Sequence, residues 1–174
     1  MGIIHAVLFA AKLCYYCGMT RRISVRGIVL HDGKLLCARL KPYKEHLQRK
    51  NDYWCLPGGG LDEGESLLTG VEREMIEETG IKPVVGNLLY VQQFPFGDKD
   101  YLEFFFHITN SDDYLHIDLT KTTHGLQEIE EIGFIDPTSV PVLPTFLATE
   151  PLAKHAASGD PTKLFSFPEL ISEK

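Results

Sequence analysis

The chain has 174 residues, 44% of them hydrophobic and 24% charged, with a formal net charge of −7. That length suits one domain with a sizeable core, and the composition is that of an ordinary soluble globular protein. The acidic balance argues against long nucleic acids, DNA included, which bind basic surfaces; it leaves room for a small phosphorylated substrate held through a metal ion.

Residues 1–18, "MGIIHAVLFAAKLCYYCG", are apolar but lack the basic start of a signal peptide, and Lys12 interrupts the run. The stretch is too short to span a bilayer. It reads as an upstream extension or a docked helix, ahead of a membrane-surface anchor, with the folded domain at 19–174 from Met19. Cys14 and Cys17 have the spacing of half a zinc site or a redox pair, but no second C-x-x-C follows. Four scattered cysteines make no disulfide framework, so a reducing, cytoplasmic setting is expected.

In chain order, "ISVRGIVL" and "KLLCARL" flank "HDGK", and Asp-Gly between two β-favouring runs signals a hairpin. Residues 41–53 are polar and read as a loop. "YWCLP" is a short strand ended by Pro57. Three glycines and an acidic turn precede a helix over residues 66–79, with Leu67, Leu68, Val71 and Met75 as its buried stripe. Ser66 can cap its start, and Gly80 can end it in a left-handed conformation. "VVGNLLYVQQF" and "YLEFFFHIT" read as strands around "PFGDKD", and "EIGFID" as another. A second helix is expected over residues 144–157, then a loop-like tail. The pattern is that of a mixed α/β domain.

The chemistry concentrates in residues 58–81, "GGGLDEGESLLTGVEREMIEETGI". On a helix, Glu74, Glu77 and Glu78 stand at i, i+3 and i+4 and project from one neighbourhood, while Glu72 points elsewhere, into solvent. Clustered carboxylates repel, so something must offset them. Partly desolvated oxygen ligands suit a hard divalent cation, magnesium above all. Gly70 leaves room beneath the cluster. Arg73, inside the acidic run, can pair with Glu65 or Glu74. Gly58, Gly59 and Gly60 supply backbone that can reach a ligand.

This segment resembles the Nudix box of the MutT-like hydrolases, G-x5-E-x7-R-E-U-x-E-E-x-G-U with U aliphatic. Gly59 opens it; Glu65, Arg73, Glu74, Met75, Glu77, Glu78, Gly80 and Ile81 take the remaining fixed positions. The likeness extends over residues 22–137, with Phe134 where the family often has Trp. The resemblance implies a Nudix-type α/β/α sandwich with a mixed β-sheet. It also implies metal-dependent cleavage of a pyrophosphate bond in a nucleoside diphosphate derivative. Mg²⁺, or Mn²⁺ in its place, would be held by Glu74 and Glu78, with Glu77 and the Gly59 carbonyl. Arg73 would orient Glu74, and Glu65 would brace the loop. A homodimer would be unsurprising.

The general base is expected from Glu77 or, next, from Glu128 in "GLQEIEEIGF", where an extended chain would place Glu128 and Glu130 on one face. Residues 34–50 carry Lys34, Arg39, Lys41, Lys44, Arg49 and Lys50 against Glu45 alone, a patch able to steer polyphosphate. Arg39 is the leading phosphate contact. Tyr53, Trp54, Phe94 and Phe96 are candidates for stacking on a base. Two other readings stay open: a catalytically silent sensor or regulator, and an RNA 5′-end pyrophosphohydrolase. Nucleoside triphosphates, oxidised nucleotides, ADP-ribose, nucleotide sugars and dinucleoside polyphosphates all remain as substrates.

Overall fold

The computed structural model describes residues 20–42 and 52–166. The expectations for residues 1–19, and for Lys44, Glu45, Arg49 and Lys50, lie outside the described residues.

Strands β1 (Thr20–His31) and β2 (Lys34–Leu40) form the expected hairpin. Asp32 and Gly33 both take positive φ, 48° and 74°, as a two-residue turn that matches strand twist requires. Two register pairs beyond the turn, the strands part. Trp54–Cys55 (β3) pairs with β2, and Gly58–Gly60 (β4) pairs with β1. The glycines, expected only to supply backbone within reach of a ligand, therefore form a strand. Gly58 sits at φ 127°, and a Cβ there would run into the Val25 backbone, so the close pairing depends on glycine.

Strands β5 (Val85–Phe96) and β6 (Lys99–Ile108) form the second expected hairpin, turning at Gly97. Strand β6 then runs parallel to β1 from Thr20 to Val29. Strand β7 (Ile129–Ile135) pairs with β2. The remaining strands are β8 (Val142–Leu143) and β9 (Lys163–Ser166), the latter parallel to β5. Among the described residues these form one mixed sheet in the order β8-β3-β2-β1-β6-β5-β9, with β4 also on β1 and β7 also on β2.

The helices are α1 (Leu67–Thr79), the single turn α2 (Gly125–Glu128) and α3 (Leu152–Ser158). Val71 and Met75 of α1 pack on Val25, Val29, Phe106 and Ile108 at one face of the sheet. On the other face Ile28, Tyr90 and Phe105 pack under Phe146, Leu147 and Leu152. This is the expected α/β/α sandwich. Two local expectations change. Leu68 is 58% exposed, because the buried stripe runs through Leu67, Val71 and Met75. The helix expected over residues 144–157 breaks into a 3₁₀ turn (Thr145–Ala148) and α3, since Pro151 has no N–H to continue the ladder and caps the second piece instead. Among the described residues no helix is long and apolar enough to cross a membrane.

Candidate active site

Helix α1 carries the candidate site, and its ends are set locally. The Ser66 hydroxyl accepts from the Thr69 N–H, and Gly80, at φ 74°, donates its N–H to the Ile76 carbonyl. Between them the helical spacing turns Glu74, Glu77 and Glu78 to one side. Glu72 turns away and pairs with Lys82 at 2.7 Å.

Arg73 answers the crowding of carboxylates in this structure. Its Nε and Nη2 donate to Glu65 Oε1 and Oε2, both at 2.9 Å, a two-point fork. Nη1 donates to Glu74 Oε1 at 3.0 Å and to Glu77 Oε2 at 2.8 Å. Nη2 also reaches the Gly60 carbonyl at 2.9 Å. One guanidinium thus joins the acidic turn, β4 and two helix carboxylates. The fork with Arg73, and the Asp62 N–H, hold the Glu65 carboxyl below the usual carboxylate range.

Glu74 and Glu78 face β4. Glu78 is buried, and its Oε2 accepts the Gly58 N–H at 2.8 Å. Burial pushes its pKa up to about 7, against the pull of the Gly58 N–H and of Arg26. Burial also raises Glu74, opposed by Arg73. The Glu74 carboxylate lies so close to Gly59 that a Cβ there would stand 2.6 Å from its Oε2.

Glu128 arrives from a distant part of the chain. The His124 N–H donates to the Glu77 carbonyl at 3.1 Å, and Gly125 packs against the Glu78 carbonyl with no room for a side chain. The N–H of Lys41 holds the Glu128 carbonyl at 2.8 Å. Glu128 thereby lines the same cavity, of about 680 Å³, as Glu74, Glu77, Glu78 and Arg73. It sits at the end of a helical turn, not in the extended chain expected, so Glu130 does not join it. Glu130 and Glu131 instead hold Arg39, whose Nη2 donates to Glu131 at 2.9 Å while its guanidinium lies 5.8 Å from the Trp54 ring centroid. Arg39 is not part of the cavity wall.

Beside Arg73, the cations that line the cavity went unassigned in the sequence: Arg21, Arg22 and Arg26 of β1, with Lys99 of β6. Their signal was the alternation in "RRISVRG", which places Arg22, Ser24 and Arg26 on one strand face. Arg26 donates to the carbonyls of Leu56 and Gly58 and lies 3.6 Å from Glu103. His124, also unassigned, stands 3.3 Å from Glu77. Gly58, Gly59 and Gly60 all line the cavity.

As arranged, no three His, Cys, Asp or Glu side chains among the described residues stand together as a ready metal cage. Arg73 occupies Glu74 and Glu77. The donor chemistry still fits magnesium, which takes one or two carboxylates, keeps several waters and completes its shell with substrate phosphate. A half-buried Glu74 and a sealed Glu78 beside glycine backbone supply hard oxygens of that kind.

The family model for the NUDIX domain matches residues 20–156. An ADP-ribose pyrophosphatase of Methanocaldococcus jannaschii is 38% identical over 80 residues, 45% of this chain and 42% of that protein. An RNA pyrophosphohydrolase of Bartonella quintana is 41% identical over 61 residues, 33% of this chain and 35% of that protein. The chain thus spans less than half the length of these two curated relatives. A solved UDP-X diphosphatase superposes with a TM-score of 0.62 at 24% identity, over 91% of this chain and 74% of that one, a likeness of fold.

Proposed function

The chain belongs to the NUDIX family, and from that premise we propose that it hydrolyses a phosphoanhydride bond in a nucleoside diphosphate derivative, with a divalent cation as cofactor. The observation that carries this reading is one cavity lined by both signs of charge: the carboxylates Glu74, Glu77, Glu78 and Glu128, and the cations Arg21, Arg22, Arg26, Arg73 and Lys99. A pyrophosphate needs cations around its oxygens, and water attacking it needs a base.

Arg22 and Lys99, which line the cavity, bind the phosphate chain. Arg73 positions Glu74 and Glu77 and does not need to touch substrate. Mg²⁺, or Mn²⁺ in its place, held by Glu74 and Glu78 with Glu77 and the Gly59 carbonyl, would neutralise phosphate charge and acidify a bound water. Water oxygen forms the new bond to phosphorus, the bridging P–O bond breaks, and the water proton passes to a carboxylate. Glu77 is the first candidate to receive it and Glu128 the second, both reachable from the cavity.

The test is release of nucleoside monophosphate, read by chromatography, from a panel of nucleoside diphosphate derivatives, with Mg²⁺ and with EDTA. Turnover should require the metal. Glu78→Gln should lower kcat by orders of magnitude while the protein stays folded by circular dichroism. Wild-type turnover in that variant, or tight binding of the panel without any hydrolysis, refutes the reading; the latter outcome describes a sensor.

A second reading, pyrophosphate removal from an RNA 5′ end, is favoured by the consecutive Arg21 and Arg22 with Lys99 in the cavity lining, although Arg21 is paired with Asp100 at 2.7 Å. Cleavage of a 5′-triphosphorylated oligonucleotide, with free nucleoside triphosphates left intact, separates it from the first.

A further inference from the structure

The sheet face that carries Arg26 extends past the cavity into two polar and aromatic rows of which the proposed chemistry uses only Arg22. Register places Ser24, Glu103 and Gln92 side by side across β1, β6 and β5, with Phe165 of β9 next. The following row on the same face is Arg22, Tyr101 and Phe94.

Each row has an unusual feature. Gln92 is 7% exposed, and its side-chain oxygen is buried with no hydrogen-bond partner among the described residues. A buried acceptor left unpaired destabilises a fold, so one that is kept invites a ligand donor. Glu103, directly across from Gln92, is 8% exposed, with Arg26 at 3.6 Å as its charged neighbour. Arg26 also bonds the Gly58 carbonyl, while the Gly58 N–H holds Glu78. One guanidinium and one glycine therefore separate the Glu103–Gln92 pair from the cavity carboxylates. In the next row Phe94 and Tyr101 stack with centroids 5.1 Å apart and planes 8° from parallel. Arg22, in that same row, lines the cavity.

We propose that these two rows seat the base of the nucleotide and select guanine. Directly opposed residues on neighbouring strands hold their Cβ atoms about 5 Å apart, so the Gln92 oxygen and the Glu103 carboxylate present two acceptors side by side. Guanine carries two adjacent donors on one edge, N1–H and the N2 amino group. Adenine, cytosine and uracil each set a single donor site beside an acceptor. The Phe94–Tyr101 pair supplies the aromatic wall against which the base lies. Arg22 and Arg26 then point the phosphates toward α1.

The inference rests on the reading that the substrate is a nucleotide, and its test does not need turnover. Isothermal titration with GDP, ADP, UDP and CDP in EDTA should show GDP bound at least tenfold more tightly than the other three. Gln92→Leu should reduce that preference to within threefold while its melting temperature holds or rises, because the unpaired oxygen is gone. Glu103→Gln, which keeps the shape and removes the charge, should also reduce the preference and serves if the leucine variant does not fold. Equal binding of the four, binding of none, or a preference that survives both variants overturns the guanine seat. Hydrolysis of the panel without base preference would sink this inference and leave the hydrolase reading standing. Guanine-selective binding without hydrolysis would do the reverse.

Discussion

A carboxyl group sealed from water loses hydration that only its ionised form enjoys, and its pKa climbs. Glu78 is in that position, at about 7 against an ordinary 4.5, and the protein bears the consequence as pH-dependent stability. Because the folded pKa is the higher one, the folded state keeps the proton more tightly between those two values. Stability from this group is complete below about pH 4.5 and drains away as pH rises through 7. The gap corresponds to about 3 kcal/mol. Glu78→Gln, neutral throughout, should therefore gain on the wild type by roughly that amount between pH 5 and pH 8, read from urea unfolding in EDTA. Parallel stability curves for the two proteins would show that Glu78 titrates normally. At this scale the box was readable. Arg73 meets both carboxylates that its place in the acidic run offered it, Glu65 and Glu74. Arg26 and His124 were not readable, since each gains its role from residues that only the folded sheet or a distant loop brings near. The surroundings of Arg39 were hidden for the same reason: its register neighbour on β7 is Glu131, a pairing invisible along the chain.

Strand β4 and helix α1 act as one unit, and their glycines divide the labour. At Gly59 the backbone is unstrained, but a methyl group would enter the space of the Glu74 carboxylate, which is the end of a flexible side chain. At Gly58 the methyl would meet the Val25 main chain at a positive φ that L-residues avoid. Gly59→Ala should thus displace Glu74 and lower kcat at least tenfold with the melting temperature nearly unchanged. Gly58→Ala should instead destabilise the whole protein. Both follow from differential scanning calorimetry alongside the hydrolysis assay; a Gly59→Ala enzyme of full activity would detach Glu74 from the chemistry. Helix α1 was legible because its caps and stripe are local signals. Strand β4 was not, because three glycines have no preference for a strand and take one by pairing with β1.

Across the whole molecule, the sheet continues beyond the residues that the family pattern recognises. The match ends at residue 156, yet β9 lies at Lys163–Ser166 and adds a further strand beside β5. A four-residue strand carries too short an alternation to announce itself in the sequence. Its place comes from one side chain: Phe165 stacks on Phe146 at 4.5 Å and on Tyr90 at 6.0 Å, closing the core on the face opposite α1. Lys163 adds an ion pair with Glu150 at 2.6 Å, on a partly exposed surface where such pairs contribute little. Leu164, between them, is 68% exposed and turns the other way. If β9 belongs to the fold, the two neighbours must respond differently to the same truncation. Phe165→Ala removes a half-buried aromatic ring and should cost about 2 kcal/mol, or roughly 4–8 °C in melting temperature for a domain of this size. Leu164→Ala should stay within about 0.5 kcal/mol. Equal and negligible effects would mean that the domain closes without β9, and that Tyr90 and Phe146 find their cover elsewhere.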